Sequence, residues 1–175
     1  MGLRFRLMFQ DEARFGRINT PRRCWAPEGF RPNVPKQIVR EYTYAYTASS
    51  PIDGVSDCLI LPSMNSDLMN VFLLEVANRH KDEFILMICD GASSHSEGSL
   101  KISKNMMVET LPPYCPQLNP VENIWEEIRE KFFPNLVFDC MNALEEKLVE
   151  ALLFLENNSH KVQSIVGFQW ILNQL

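Results

Sequence analysis

Three acidic residues stand where chemistry would need them. Asp11 follows an alternating apolar segment, Asp90 follows the wholly apolar run FILMIC (84–89), and Glu122 opens a helical pattern after a proline-rich loop. If the two aspartates end neighbouring strands, their oxygens come within a few ångströms of each other. Two such carboxylates repel, and one keeps its proton. A hard divalent cation removes the conflict, because Mg²⁺ takes oxygen ligands and retains several waters. Two ions about 4 Å apart can stabilise both the attacking and the leaving oxygen of an in-line phosphoryl displacement. Glu122 is the natural third ligand. Glu126 lies one turn further along the same side of the helix and is a candidate accessory group.

Each residue also has a plainer reading. Asp11 suits a turn at a strand end. Glu122, three residues after Asn119, suits a capping box in which the two side chains satisfy each other's backbone donors. Glu126, Glu127 and Glu130 suit a solvated helix face. His95 suits either a cap or a bond to a nearby carboxylate, and Tyr114 either a stack on a base or packing on the loop prolines. Trp125 and Trp170 read as core. Asp90 is the residue for which position alone argues most, since it closes a strand buried on both faces.

The elements that must position these groups are legible from periodicity. Residues 3–11 alternate, with Leu3, Phe5, Leu7 and Phe9 on one face and Arg4 and Arg6 on the other, which predicts a strand ending at Asp11. Residues 16–36 hold four prolines and two glycines, with 22–25 as a short hairpin arm. Strands are predicted over 38–47 and 54–61, rich in β-branched and aromatic residues. Asn65 is placed to cap a helix running to about His80, with Met69, Phe72, Leu73 and Val76 as its inner stripe. The run 84–89 needs cover on both faces, as in the middle of a helix-flanked sheet. A weaker strand follows near 106–111. Asn119 as N-cap, Pro120 at the first helical position and Glu122 begin a helix whose stripe is Val121, Ile124, Trp125, Ile128 and Phe132, stopped by Pro134. A last helix is predicted over about 141–157, capped by Asp139. The order gives an α/β domain with a mixed five-stranded sheet flanked by helices. In such sheets functional groups gather at the carboxyl ends of strands.

Composition sets the remaining bounds. The 175 residues, 46% hydrophobic and 22% charged, suit one globular domain. No apolar run is long enough to span a membrane, and the opening residues, interrupted by Arg4 and Arg6, do not form a secretory leader. Five scattered cysteines make neither a disulfide framework nor a zinc site. The expected location is therefore cytoplasmic. The net charge of −5 runs against nucleic-acid binding. The basic residues are clustered, however: Arg14, Arg17, Arg22, Arg23, Arg31, Lys36 and Arg40 all fall in the first quarter. A local basic patch contacts phosphates whatever the total charge. Arg14, Arg17, Arg22 and Arg23, with Tyr114, are the candidate DNA contacts.

The segments FQDEARFG (9–16), LMICDGASSH (86–95) and LPPYCPQLNPVENIWEEIRE (111–130) resemble, in order, the three blocks of mariner-type bacterial insertion-sequence transposases of the DDE superfamily. CWAPEG (24–29) and SIVGFQWI (164–171) resemble their flanking signatures. Gly91 and Cys115 stand where many relatives have Asn and Ser, and neither change removes a ligand. The resemblance implies an RNase H-like fold with adjacent, parallel first and fourth strands. It implies a metal-binding triad of Asp11, Asp90 and Glu122, with two Mg²⁺ ions and Mn²⁺ as a substitute. It also implies hydrolysis of the phosphodiester at a transposon end, attack of the freed 3′-hydroxyl on target DNA, and a homodimer on DNA in the bacterial nucleoid. The competing readings are another RNase H-like nuclease and an inactive remnant serving as a DNA-contact or assembly module. The whole of 1–175 is expected to be one catalytic domain, without the N-terminal helix-turn-helix region by which relatives read inverted repeats. The expected consequence is weak DNA binding without sequence preference, which an electrophoretic assay at moderate salt checks; tight, repeat-specific binding would contradict it.

Overall fold

A computed structural model describes residues 3–90, 100–113 and 115–174. Five strands form one sheet: β1 (Arg4–Ile18), β2 (Ile38–Ser49), β3 (Ser56–Leu61), β4 (Glu83–Cys89) and β5 (Met106–Thr110). Their spatial order is β3-β2-β1-β4-β5. The first three strands pair antiparallel, whereas β4 and β5 run parallel to β1. Helix α1 (Ser66–Arg79) makes the crossover from β3 to β4. After β5 come α2 (Glu122–Lys131), α3 (Met141–Glu156), α4 (Ser159–Val166) and α5 (Gln169–Leu172).

The sheet is covered on both faces, as the apolar run of β4 requires. On one side Met8, Tyr46, Ile85 and Met87 pack with Phe72, Leu73 and Val76 of α1. On the other, Leu7, Phe9, Ala13 and Phe15 pack with Trp125, Ile128, Leu144, Leu148 and Val162 of the later helices. The predicted stripes of α1 and α2 are the buried ones, and Asn65 caps α1 by accepting from the Leu68 backbone N–H.

Several expectations are corrected. β1 does not end at Asp11 but continues for seven residues, because β2 pairs with it from Phe9 to Ile18. Asp11 instead marks the level where β1 outruns its parallel neighbour β4. The alternation of β1 also does not divide core from solvent at its start. Leu3 and Phe5 are exposed, while Arg6 is buried. Arg6 is held by Glu83 and Asp53, in a charged cluster where His80 bridges Asp57 and Glu83. Buried charges need such partners. This cluster lies at the end of the sheet remote from Asp11.

The expected hairpin at 22–25 does not form, and 19–37 is without strand, tied by Asn19 to Pro35 and Gln37. Cys140, not Asp139, precedes α3, because the Asp139 backbone is turned toward Arg17. Two further helices, α4 and α5, follow where none was expected, and Trp170 is half exposed rather than core. The cysteines are free thiols.

Gln10, fully buried on the strand next to Asp11, leaves both atoms of its amide without a partner among the described residues. An orphaned buried polar group costs roughly 1–3 kcal/mol. Gln10→Met is therefore expected to raise the thermal midpoint; a lowered midpoint would show that the amide is satisfied in solution.

Candidate metal centre

Strands β1 and β4 run in register from Arg4 opposite Glu83 to Phe9 opposite Ile88. Asp11 and Asp90 each lie two residues beyond that last pair, so they stand at one level on adjacent parallel strands. Leu7, Phe9, Leu86 and Ile88 all face the α2–α5 side, and the same alternation carries both aspartates toward it. On the opposite face, burial raises the Cys89 thiol, and the charges of Glu12, Asp90 and Asp11 add to the rise.

The third acid arrives through the loop after β5. Its prolines prevent regular pairing, and a 3-10 turn at Pro116–Leu118 ends with the Asn119 N–H donating to the Pro116 carbonyl at 2.9 Å. That bond takes the donor a capping box would assign to Glu122. The expected box therefore does not form. Helix α2 starts at Glu122 itself, with Val121 before it and no side-chain cap. Asn119 does other work. Its Nδ2 donates to the Gln10 carbonyl at 2.9 Å, and its Oδ1 accepts from the Val121 N–H at 3.2 Å. This buried side chain ties the start of α2 to β1, one residue from Asp11.

One turn into α2, Trp125 Nε1 donates to Asp11 Oδ2 at 2.8 Å. Asp11 is only 5% exposed. Burial, then the negative charge of Glu122, push its pKa up to about 7 against the pull of the Trp125 bond. Glu122 is thus close enough to act on Asp11, although it is exposed on the first turn. Trp125 is core, as expected, but its indole N–H also orients the carboxylate. The signal for this was its position three residues after Glu122, on the stripe facing β1.

Other candidates fall elsewhere. Glu126 is exposed and paired with Arg22 at 3.0 Å. Arg17 is spent on structure, donating to the carbonyls of Phe138 and Asp139 and to Glu41. Arg14 lies over the Tyr42 ring, and Arg23 is exposed. His95 and Tyr114 lie outside the described residues. Arg129, not singled out from sequence, is half-buried and feels the charges of both Glu122 and Asp11.

Among the described residues no three His, Cys, Asp or Glu side chains are gathered closely enough to form a metal-binding group. The donors nonetheless fit a hard divalent cation: all are carboxylates, and one is buried against its own charge.

A mixed sheet of this order, flanked by helices, with a buried acid on its central strand where β1 outruns β4, is the RNase H-like α/β fold. The chain belongs to the DDE superfamily endonucleases, whose family model matches residues 6–145. It is similar over 130 residues, at 29% identity, to the uncharacterized protein y4pE/y4sA of Sinorhizobium fredii (strain NBRC 101917 / NGR234), covering 74% of this chain and 96% of that one. Its fold is similar to a crystal structure of the Mos1 mariner paired-end complex with Mn (TM-score 0.64, 15% identity, 91% of this chain and 53% of that one). It is also similar to the corresponding complex with Mg (TM-score 0.60, 17% identity, 93% and 56%). The chain therefore spans about half the length of those Mos1 chains. No helix among the described residues is long and apolar enough to cross a membrane.

The raised pKa of Asp11 makes a stability prediction for the metal-free protein. Below the ordinary carboxylate range, folded and unfolded chains both carry the proton. As pH rises toward about 7 the unfolded chain ionises while the fold retains the proton, so stability falls. A shift of this size corresponds to a loss on the order of 4 kcal/mol, complete above that pH. Asp11→Asn keeps an acceptor for Trp125 and removes the loss. The variant is expected to match the wild type near pH 4 and exceed its thermal midpoint at pH 8; parallel midpoint curves would refute the burial argument.

Proposed function

We propose that this domain cuts and joins DNA strands by in-line phosphoryl transfer at a site made of Asp11, Asp90 and Glu122. The observation that carries the reading is the register of β1 and β4, which sets the two aspartates side by side, with Glu122 acting on the buried one. The substrate is DNA at transposon ends and then the target duplex, and the working form is a homodimer. The similar Mos1 structures are paired-end and strand-transfer complexes, which supports this extension.

The three carboxylates would hold two Mg²⁺ ions, or Mn²⁺ in their place, which when bound polarise the phosphoryl oxygens and favour the ionised nucleophile. The chain's own residues do the rest. Trp125 fixes the plane of the Asp11 carboxylate and shields one side of it from water. Asn119 holds the first turn of α2 against β1, so that the charge of Glu122 acts on Asp11. The low-dielectric floor of Phe9, Ala13 and Ile124 strengthens every charge interaction above it.

Nicking of supercoiled plasmid in Mg²⁺ or Mn²⁺ tests the proposal. Asp90→Asn is expected to abolish it. Trp125→Phe, which keeps the bulk and loses the donor, is expected to slow it about 10–100-fold, as removal of a ligand-orienting partner does. Undiminished nicking by Asp90→Asn would remove that residue from the site.

A further inference from the structure

Helix α1 carries more apolar residues than one buried stripe needs. In its run VFLL (71–74) all four residues are apolar. Phe72 and Leu73 are buried with Met69 and Val76, whereas Val71 and Leu74, on the outer side, are 50% and 54% exposed. Ile102, in the segment leading to β5, is exposed as well. A hollow of about 490 Å³ runs between the helix and this segment, lined by Asp67, Asn70, Val71, Leu74, Lys101 and Ile102. Two hydrogen bonds join its walls. The Lys101 backbone N–H donates to Asn70 Oδ1 at 2.6 Å, and Asn105 Nδ2 donates to the Ala77 carbonyl at 3.1 Å. The groove is therefore part of the fold and exists before anything binds in it.

Charge decides what the groove suits. Among the residues lining it, Asp67 and Lys101 offset each other. A nucleic-acid strand or an anionic membrane calls for a surplus of positive charge, which this face does not offer. A second copy of the chain calls for the reverse. Two molecules of net charge −5 repel, so they approach best where the local charge vanishes. The outer face of α3 shows the contrast: Val149 and Leu153 are exposed there too, but Glu145 and Glu146 line the same hollow as Val149. The stripe on α1 is also self-complementary. Asp67, Val71, Leu74 and Asn78 follow at spacings of four, three and four, those of a helix-packing seam. When two such helices run antiparallel about a two-fold axis, Val71 meets the partner's Leu74 and Asp67 meets the partner's Asn78. In that pairing no like charges oppose each other, and the helix dipoles are antiparallel.

We propose that the outer stripe of α1, with Ile102, is the face by which two copies of this chain associate, as an antiparallel two-fold pair. The proposal deepens the homodimer reading given above and rests on it for the identity of the partner. Helix α1 packs on the side of the sheet opposite α2–α5, so each copy keeps its carboxylate site open on its outer side. A standard interface buries about 800 Å² on each partner. Three half-exposed apolar side chains supply only part of that. The pair is therefore weak in free solution and strengthens when both copies are held on one DNA, which raises their effective concentration.

Sedimentation equilibrium of the full chain, without DNA or metal and up to about 0.5 mM, reads the association. The wild type is expected to show a monomer–dimer equilibrium. Leu74→Glu and Val71→Lys, both at exposed positions, are each expected to weaken it by roughly ten-fold or more, because residues at the centre of an interface carry most of its energy. In the double variant Val71→Lys/Leu74→Glu each lysine faces a glutamate of the partner in the antiparallel register, and association is expected to recover relative to either single variant. Val149→Lys, on α3, is expected to leave it unchanged. Thermal midpoints matching the wild type confirm that the variants fold. A wild type that stays monomeric throughout overturns the proposal. A dimer indifferent to both single substitutions also overturns it, while keeping the homodimer. Failure of the double variant to recover overturns the antiparallel pairing. Metal-dependent nicking is scored separately. A wild type that nicks but stays monomeric keeps the cutting reading and loses this face. One that dimerises through α1 but never nicks keeps the face and loses the cutting reading.

Discussion

The hydrogen bond from Trp125 to Asp11 is the interaction on which the rest depends. A carboxylate buried in an apolar setting without a cation is unfavourable as an ion. Asp11 is nearly sealed from water, shares its surroundings with Glu122, and receives an indole N–H in partial compensation. The bond also joins the two halves of the molecule. It runs from the central strand to the helix that arrives after the whole sheet is complete. Asn119 makes a second link across the same seam, to the neighbouring residue of the strand. Together they convert a motif of eight residues, from Asn119 to the end of the first turns of α2, into a rigid wall of the site.

Around that seam the sheet divides its labour. Its remote end is stabilised by charges that neutralise one another, Arg6 with Glu83 and Asp53, and His80 between Asp57 and Glu83. At the Asp11 end like charges come together as well, Asp11 with Glu122, while Arg22 is paired with Glu126 and Glu130. Such concentrations of like charge lower stability and are kept where a ligand of opposite sign is to be bound. The overall acidity of the chain therefore says little about its partner. What bears on binding is where the uncompensated charges sit.

Strands, the caps of α1 and the stripes of α1 and α2 were legible because they are local. A period of two or 3.6 in residues such as Leu7–Phe9 or Ile124–Ile128 reports burial directly. The failures came where a distant segment changed local meaning. β1 runs past Asp11 because β2, some thirty residues later, supplies hydrogen bonds for it. Glu122 is not a capping partner because the turn at Pro116–Leu118 had already satisfied Asn119. Trp170 reads as core by its chemistry but lies on the outer side of the final helices. Arg17, one basic residue among several, is occupied by carbonyls more than a hundred positions away.

The sequence by itself determined which residue types are available, the α/β class, the three motif blocks and therefore the family. Those depend on neighbours within a few positions. Only the tertiary structure decided that Asp11 and Asp90 share a level, that Trp125 and Asn119 lock α2 to β1, and that Arg129 lies within reach of the charges of Glu126, Glu122 and Asp11. The reason is physical. Charge interactions and hydrogen bonds act through space, and their strength is set by burial and distance that no single segment contains.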